Sequence, residues 1–198
     1  MRVLVACEFS GRVRGAFLAR GHDAWSCDLL PTESPGPHIQ GDVLEHLNDG
    51  WDLMIAHPPC TYLSKAGAHL WKQRGQEAAQ ATAFVIQLYE APIARVAIEN
   101  PEGQLTRLWR PPSQRIQPYA FGDPWTKQTC LWLRNLPPLW CSNIVRPWPS
   151  IPRRTSPAGD HWTYGAFMRT HRSSRSRSRT FPGIAAAMAE QWGVWPCV

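Results

Sequence analysis

A cysteine at the end of an apolar run is the first residue whose setting suggests chemistry. The stretch DLMIAHPPCTYLS, residues 52–64, ends its apolar part at His57 and places two prolines directly before Cys60. Successive prolines stop a strand, so we expect the chain to leave a sheet at His57 and turn at Cys60. A thiol at the carboxyl end of a strand in an open α/β sheet is a candidate nucleophile. The alternative is a small buried cysteine beside a turn.

Polar segments also follow other predicted strands. EFSG, residues 8–11, follows the apolar run RVLVAC, and ENP, residues 99–101, follows the run IARVAI. Ligands bind at the carboxyl edge of an open α/β sheet, which is where these segments are expected to lie. Asp28 and Asp42 also fall at or beyond strand ends, although each alone is equally compatible with a solvated loop acid.

The first 135 residues predict an α/β fold with a mostly parallel sheet covered by helices on both faces. Strands are predicted in RVLVAC, HDAWSCDLLP, WDLMIAHPPC, IARVAIENP and KQTCLWLRNL. Helices are predicted in RVRGAFLARG, where Gly21 suits a C-terminal cap, and in GQEAAQATAFVIQLYEA. HIQGDVLE brings Asp42 into a loop, and FPGIAAAMAEQWG is predicted to be a short closing helix.

The character of the chain changes at about residue 136. Residues 136–165 are rich in Pro and Trp and show neither the helical nor the strand period, which predicts an irregular excursion. A basic Ser/Arg run follows at residues 169–179. We therefore expect a single domain, 1–198, with an irregular Trp/Pro- and Arg-rich insertion at about 136–179.

Composition restricts the classes of protein and partner. The six cysteines form no Cys-x-x-Cys pair, so neither structural zinc nor disulfides are expected. Lys and Arg number 21 against 15 acidic residues, and their excess near the C-terminus makes nucleic acid the natural partner to consider. The apolar run before Glu8 is shorter than a signal peptide or a membrane span requires. We therefore expect a soluble cytoplasmic protein.

Taken in order, EFSG, PPC and ENP resemble the motifs of the DNA cytosine-5 methyltransferase family: a phenylalanine-x-glycine loop, a proline-cysteine loop and a glutamate-asparagine pair. The resemblance covers essentially the whole chain, and the ordered set of motifs carries it. It implies a Rossmann-like, S-adenosylmethionine-dependent methyltransferase sheet and methyl transfer to carbon 5 of cytosine in DNA, with the target base flipped out. The family is common in phage, so a bacterial or phage-infected host cell is the expected setting.

The resemblance implies a site for S-adenosylmethionine. Phe9 and Gly11 match the loop that approaches the methionine part of the cofactor, where glycine allows close contact. Asp28 matches an acid for the ribose hydroxyls, and Asp42 matches the acid that accepts from the adenine amino group. Pro58 completes the set of cofactor-binding residues that we expect.

The resemblance also implies three catalytic residues. Cys60 matches the nucleophile: its thiolate adds to carbon 6 of cytosine, which makes carbon 5 enamine-like. Glu99 matches the glutamate that holds the base at ring nitrogen 3 and the amino group. Lys127 lies where the family has an arginine that supports the base and the cysteine, and Gln114 and Arg115 are rivals for that role.

Length is the largest departure from the family, which carries a sizeable target-recognition domain before its last helix. The short interval here implies a reduced recognition element, a partner chain that supplies recognition, or a substrate other than duplex DNA. Five arginines of the Ser/Arg run are predicted to bind phosphates, the alternative being a flexible solvated segment. They are Arg169, Arg172, Arg175, Arg177 and Arg179.

Three functions therefore compete. The leading hypothesis is a DNA cytosine-5 methyltransferase that forms a covalent cysteine adduct and needs no metal. The second is the same chemistry on a cytosine nucleotide or on single-stranded nucleic acid. The third is a non-catalytic nucleic-acid-binding relative, against which the presence of Cys60, Glu99, Asp28 and Asp42 argues.

Overall fold

The structure is a computed structural model and describes residues 1–65, 71–148, 151–152, 163–164 and 173–194. Seven strands form one sheet. They are β1 (Arg2–Ala6), β2 (Asp23–Asp28), β3 (His38–Gln40), β4 (Leu53–Ala56), β5 (Arg95–Pro101), β6 (Gln114–Ile116) and β7 (Thr129–Arg134). Their order across the sheet is β3-β2-β1-β4-β5-β7-β6.

The sheet is mostly parallel, as the sequence predicts. β1 to β5 run parallel to their neighbours, whereas β7 lies antiparallel to both β5 and β6. In β1, Val3 and Val5 belong to the core on one face and Leu4 to the core on the other, because successive side chains of a strand point to opposite faces. Burial on both faces explains why these strands read as continuous apolar runs.

Helices cover both faces of this Rossmann-like sheet. They are α1 (Arg12–Leu18), α2 (Gly75–Tyr89), α3 (Leu105–Leu108), α4 (Ser174–Ser178) and α5 (Pro182–Gly193), with short 3-10 turns at Val43–His46 and Pro118–Ala120. α1 and α5 contribute Phe17, Met188 and Trp192 to one core. α2 contributes Val85 and Leu88 to the other. The predicted α/β fold is therefore confirmed, including the closing helix.

Two regions differ from the sequence-based expectation. β6 was not predicted, because three residues among prolines are too few to show a strand period. The stretch expected to be irregular contains a small pair of antiparallel strands, β8 (Ile151–Pro152) and β9 (Thr163–Tyr164), and then α4. α4 forms within the Ser/Arg run because the Ser173 hydroxyl caps it, accepting from the Ser176 amide at 3.0 Å.

Two further searches covered only the described residues. Within these ranges, no helix is both long enough and apolar enough to cross a membrane. The same ranges contain no group of three or more His, Cys, Asp or Glu side chains placed to hold a metal ion.

Candidate active site

Four adjacent strands deliver the candidate residues to one edge of the sheet. β1 lies between β2 and β4, and β5 follows β4. The amide of His57 donates to the carbonyl of Ala6 at 2.9 Å, and the amide of Glu8 donates to that of Cys27 at 3.2 Å, so the end of β1 is tied to both neighbours. The loops that follow β1, β2 and β4 therefore lie side by side, next to Glu99 in β5.

The loop of Cys60 is a tight turn held by backbone bonds. The amides of Leu63 and Ser64 both donate to the Cys60 carbonyl, at 3.0 and 2.9 Å. Asn100, which is buried in β5, donates from Nδ2 to the Pro58 carbonyl at 2.8 Å. Cys60 itself is only partly buried. The prolines and this anchor place the thiol at a defined point beyond the end of β4.

The surroundings of Cys60 favour the thiol over the thiolate. Burial, followed by the charge of Glu99, raises the pKa of Cys60, while the positive charges of Lys127 and Arg177 oppose this rise. The net direction is upward. The structure thus brings Cys60, Glu99 and Lys127 into electrostatic contact, and it adds Arg177 of the Ser/Arg run to the group.

The pKa of Glu99 shifts in the direction opposite to that of Cys60. Its side chain is 18% exposed, and its Oε2 lies 3.1 Å from Nδ1 of His57. Burial raises the pKa of Glu99, but the hydrogen bond and charge of His57, the charge of Lys127 and a hydrogen bond with Thr129 together lower it. The net direction is downward, so Glu99 is ionised at neutral pH.

Lys127 is placed by contacts at both ends. Its amide donates to Oε1 of Gln117 at 3.0 Å, and its Nζ donates to the carbonyl of Arg177 at 2.7 Å. The two rivals for its role lie in β6 and have other partners. Gln114 exchanges two hydrogen bonds with the backbone of Leu139, at 2.6 and 2.8 Å, and Arg115 lies 3.8 Å from Glu102.

The first loop brings a buried carboxylate against the start of α1. Glu8 is 4% exposed; its Oε1 accepts from the Val13 amide at 2.7 Å and from the Ser10 hydroxyl at 3.1 Å, and its Oε2 accepts from the Arg14 amide at 3.2 Å. Gly11 caps this helix with a φ of 69°, which suits glycine. Dinucleotide folds leave these amides to a pyrophosphate, whereas here Glu8 occupies them. The arrangement favours a ligand without phosphate at this loop.

Two carboxylates lie at or just after the ends of neighbouring strands, at the same edge of the sheet. Asp28 accepts from the Leu30 amide at 2.9 Å, and Asp42 accepts from the Leu44 amide at 3.0 Å, each through Oδ1. The amide of Gly41 donates to the Asp28 carbonyl at 3.0 Å, which places Asp42 one residue from a direct backbone contact with Asp28. Both charges raise the pKa of the Cys7 thiol, after the larger effect of its burial. They are suitable acceptors for the hydroxyl and amino groups of a nucleoside.

The loop after β2 is fastened to the first loop. The Arg14 guanidinium is fully buried and donates to the carbonyls of Ser34, at 2.7 Å, and Pro35, at 3.0 Å. The Glu33 amide donates to the carbonyl of Phe9 at 2.8 Å. Phe9 is therefore held in position by backbone rather than by packing of its ring alone.

The predicted phosphate-binding arginines have protein partners where the structure describes them. Arg175 and Arg179 both donate to Glu33, and the Arg175 guanidinium lies 5.0 Å from the centre of the Phe9 ring. The carbonyl of Arg177 accepts from Lys127. Arg169 and Arg172 lie outside the described residues. Phosphate binding by these arginines stays a prediction.

Three residues that make contacts in or beside the candidate site were not predicted from the sequence. They are His57, Glu8 and Glu33. His57 directly follows β4, and the pairing of Ala56 with Ile98 in the adjacent parallel strands places it beside Glu99. The available signal was a polar residue directly after each of two apolar runs, which end at Ala56 and at Ile98. Glu33 carried no such signal, because its arginine partners are more than 140 residues away.

Comparisons with known proteins find similar solved structures at low identity. The chain matches no protein-family model and no curated protein. One similar solved structure is described as a DNA modification methyltransferase encoded within an E. coli prophage, with 14% identity and a TM-score of 0.43, over 67% of this chain and 46% of that one. Another is the 16S rRNA methylase RmtB, with 17% identity and a TM-score of 0.35, over 67% and 54%. The chain thus spans about half the length of these two methylases.

Proposed function

We propose that the protein is a DNA cytosine-5 methyltransferase that uses S-adenosylmethionine and forms a covalent Cys60 adduct. This proposal is carried by the juxtaposition of a strand-end thiol, an ionised glutamate and a lysine. The charges of both Glu99 and Lys127 shift the pKa of Cys60. The carboxylates Asp28 and Asp42 lie at the same edge of the sheet, on the other side of β1.

The residues at that edge fit the cofactor. Asp28 would accept from the ribose hydroxyls and Asp42 from the adenine amino group, while Phe9, Gly11 and Pro58 would line the methionine side. The exposed side chain of Leu29, next to Asp28, offers apolar surface for an adenine ring. When bound, S-adenosylmethionine supplies an electrophilic methyl group. The occupation of the α1 amides by Glu8 agrees with a cofactor that has no phosphate.

In the proposed reaction the Cys60 thiolate adds to carbon 6 of cytosine, and a bond from sulfur to carbon forms. Carbon 5 thereby becomes nucleophilic and accepts the methyl group. Carbon 5 then loses its proton to water, the double bond between carbons 5 and 6 re-forms, and the bond between carbon 6 and sulfur breaks, so that Cys60 is regenerated. Lys127 opposes the rise in the pKa of Cys60. Ionised Glu99 accepts from the cytosine amino group and from ring nitrogen 3, which holds the proton given up by the Cys60 thiol from the addition of the sulfur until its departure.

The same chemistry on single-stranded nucleic acid or on a cytosine nucleotide is a second candidate. Its support is that Arg175 and Arg179, in the interval where the family keeps its recognition domain, are bound to Glu33. A duplex would have to displace Glu33 or rely on a partner chain for recognition.

Three substrates and one variant separate these functions. The purified protein is incubated with labelled cofactor and duplex DNA, single-stranded DNA or a cytosine nucleotide, and the products are analysed as nucleosides. We expect label in 5-methylcytosine from DNA and none with Cys60→Ser. Label in duplex DNA supports the first candidate, whereas label confined to single-stranded DNA or to the nucleotide would select the second. Binding of DNA with no labelled product would select a non-catalytic protein, and label in another base would refute cytosine-5 chemistry.

A further inference from the structure

The pair of His57 and Glu99 joins the ends of two neighbouring strands. Nδ1 of His57 lies 3.1 Å from Oε2 of Glu99, and the two side chains are only 8% and 18% exposed. An ionised carboxylate can only accept hydrogen bonds, so Nδ1 must carry the hydrogen. Nε2 is then an acceptor in the neutral ring and a second donor in the imidazolium.

The other ring nitrogen is in an unfavourable setting. Nε2 of His57 is enclosed and has no hydrogen-bond partner within the described ranges. A buried polar atom without a partner destabilises a fold, so packing alone does not explain an imidazole at this position. The hydrogen bond from Nδ1 to Glu99 offsets part of this cost and is the contact that gives the imidazole a role here.

Groups from several elements face Glu99. They are His57 after β4, Cys60 in the following loop, Lys127 before β7, and Thr129 and Cys130 within β7. Among those that favour ionised Glu99, His57 acts most strongly, through both its hydrogen bond and its charge. Lys127 acts only through its charge, and its Nζ is engaged with the carbonyl of Arg177.

We propose that His57 is the positioning residue for Glu99: its Nδ1–H fixes the orientation of the carboxylate and keeps it ionised. This inference rests on the proposed function, because an ionised carboxylate accepts from the amino group of cytosine and repels the carbonyl oxygen that thymine has in its place. His57 thereby contributes to the choice of base without touching it.

Two variants with different geometry test the contact. His57→Asn keeps an N–H donor near the place of Nδ1, whereas His57→Gln moves the donor towards the place of Nε2. The matched control is His46→Gln, which removes another histidine–carboxylate pair, with 2.9 Å between His46 and Asp49. Circular dichroism and thermal unfolding verify that each variant is folded.

The first measurement does not depend on activity. The titration of the Glu99 carboxyl is followed by carbon-13 NMR and assigned with Glu99→Gln. We expect its pKa to rise in His57→Gln, because burial then acts with less opposition, and to stay closer to the parent value in His57→Asn. An unchanged Glu99 titration in a folded His57→Gln protein would overturn the inference.

The second measurement is the rate at which DNA containing 5-fluorocytosine becomes covalently trapped, as a function of pH. We expect His57→Gln to slow trapping by about 10-fold to 10²-fold, the effect of a misplaced catalytic group, and to move the acid limb to higher pH. His57→Asn should recover most of the rate, and His46→Gln should match the parent. Equal losses in both His57 variants would overturn the positioning role. If the parent traps no DNA, the proposed function fails, and the Glu99 titration alone decides whether His57 controls the carboxylate.

Discussion

Arg179 forms a bidentate pair of hydrogen bonds with Glu33: its Nε donates to Oε2 at 2.9 Å, and its Nη2 donates to Oε1 at 3.0 Å. Arg175 adds a third bond, from Nε to Oε1 at 2.9 Å. Since the Glu33 amide is bonded to the Phe9 carbonyl, these contacts tie α4 to the candidate cofactor loop. A phosphate that binds either arginine must therefore compete with Glu33.

The salt dependence of DNA binding tests this competition. Replacement of Arg175, Arg177 and Arg179 by Ala should flatten the slope of log binding constant against log salt by about two to three units if all three contact duplex phosphates. Glu33→Gln should instead raise affinity a few-fold, because exposed ion pairs contribute about 0.2–1 kcal/mol. Glu45→Gln, at another exposed acid, is the control. A slope that is the same in the triple variant and the parent would remove these arginines from the interface.

The pH dependence of Cys60 reactivity follows from its raised pKa. Below that pKa, the thiolate fraction grows about tenfold for each pH unit, so alkylation of Cys60 should still be accelerating above the ordinary thiol range. Lys127→Met removes an opposing charge and should slow alkylation at a given pH, whereas Lys72→Met should not. Peptide mass spectrometry distinguishes Cys60 from the exposed Cys141. A plateau below the ordinary thiol pKa would contradict the expected direction.

Glu99 belongs to the proposed substrate half of the site and Asp28 to the proposed cofactor half. Substitutions in the first should therefore lower turnover, and substitutions in the second should weaken cofactor binding. Glu99→Gln should lose about 10²–10⁴ in rate, the range for a positioned acid or base, with cofactor affinity unchanged. Asp28→Asn should weaken cofactor binding by about 10-fold to 10²-fold, as expected when a charged hydrogen-bond acceptor is lost. Calorimetric titration with the cofactor and steady-state rates measure the two effects, with Asp49→Asn as control. Loss of cofactor binding in Glu99→Gln would contradict the assignment of Glu99 to the substrate half of the site.

The hydrogen bonds from the first amides of α1 to the Glu8 carboxylate should contribute to the free energy of unfolding. Glu8→Ala leaves the buried amides of Val13 and Arg14 without their acceptor, which should lower the free energy of unfolding by about 1–3 kcal/mol. Ser10→Ala removes one of the three contacts of the carboxylate, at 3.1 Å, and a weak bond from the Arg12 amide at 3.4 Å, and should cost less. Urea unfolding followed by circular dichroism measures both. Equal stability of Glu8→Ala and the parent would show that water replaces the carboxylate at no cost.

The sequence by itself determined that a mostly parallel sheet forms and that the nucleophile candidate follows one of its strands. β1, β4 and β5 lie in apolar runs because both faces of the sheet are buried. The prolines before Cys60 end β4 by removing a backbone donor, which is a local effect and so is legible in the chain. The helical period of α2 and α5 was legible for the same reason.

Only the tertiary structure decided which side chains meet. The partnership of His57 with Glu99 depends on the pairing of β4 with β5, and that of Arg179 with Glu33 joins segments 146 residues apart. Neither contact leaves a periodic or compositional trace. The short β6 likewise exists because β7 offers it an edge to pair with, not because of its own three residues. Periodicity records which face of an element is buried, whereas contacts across the chain depend on register and on the crossing of distant segments.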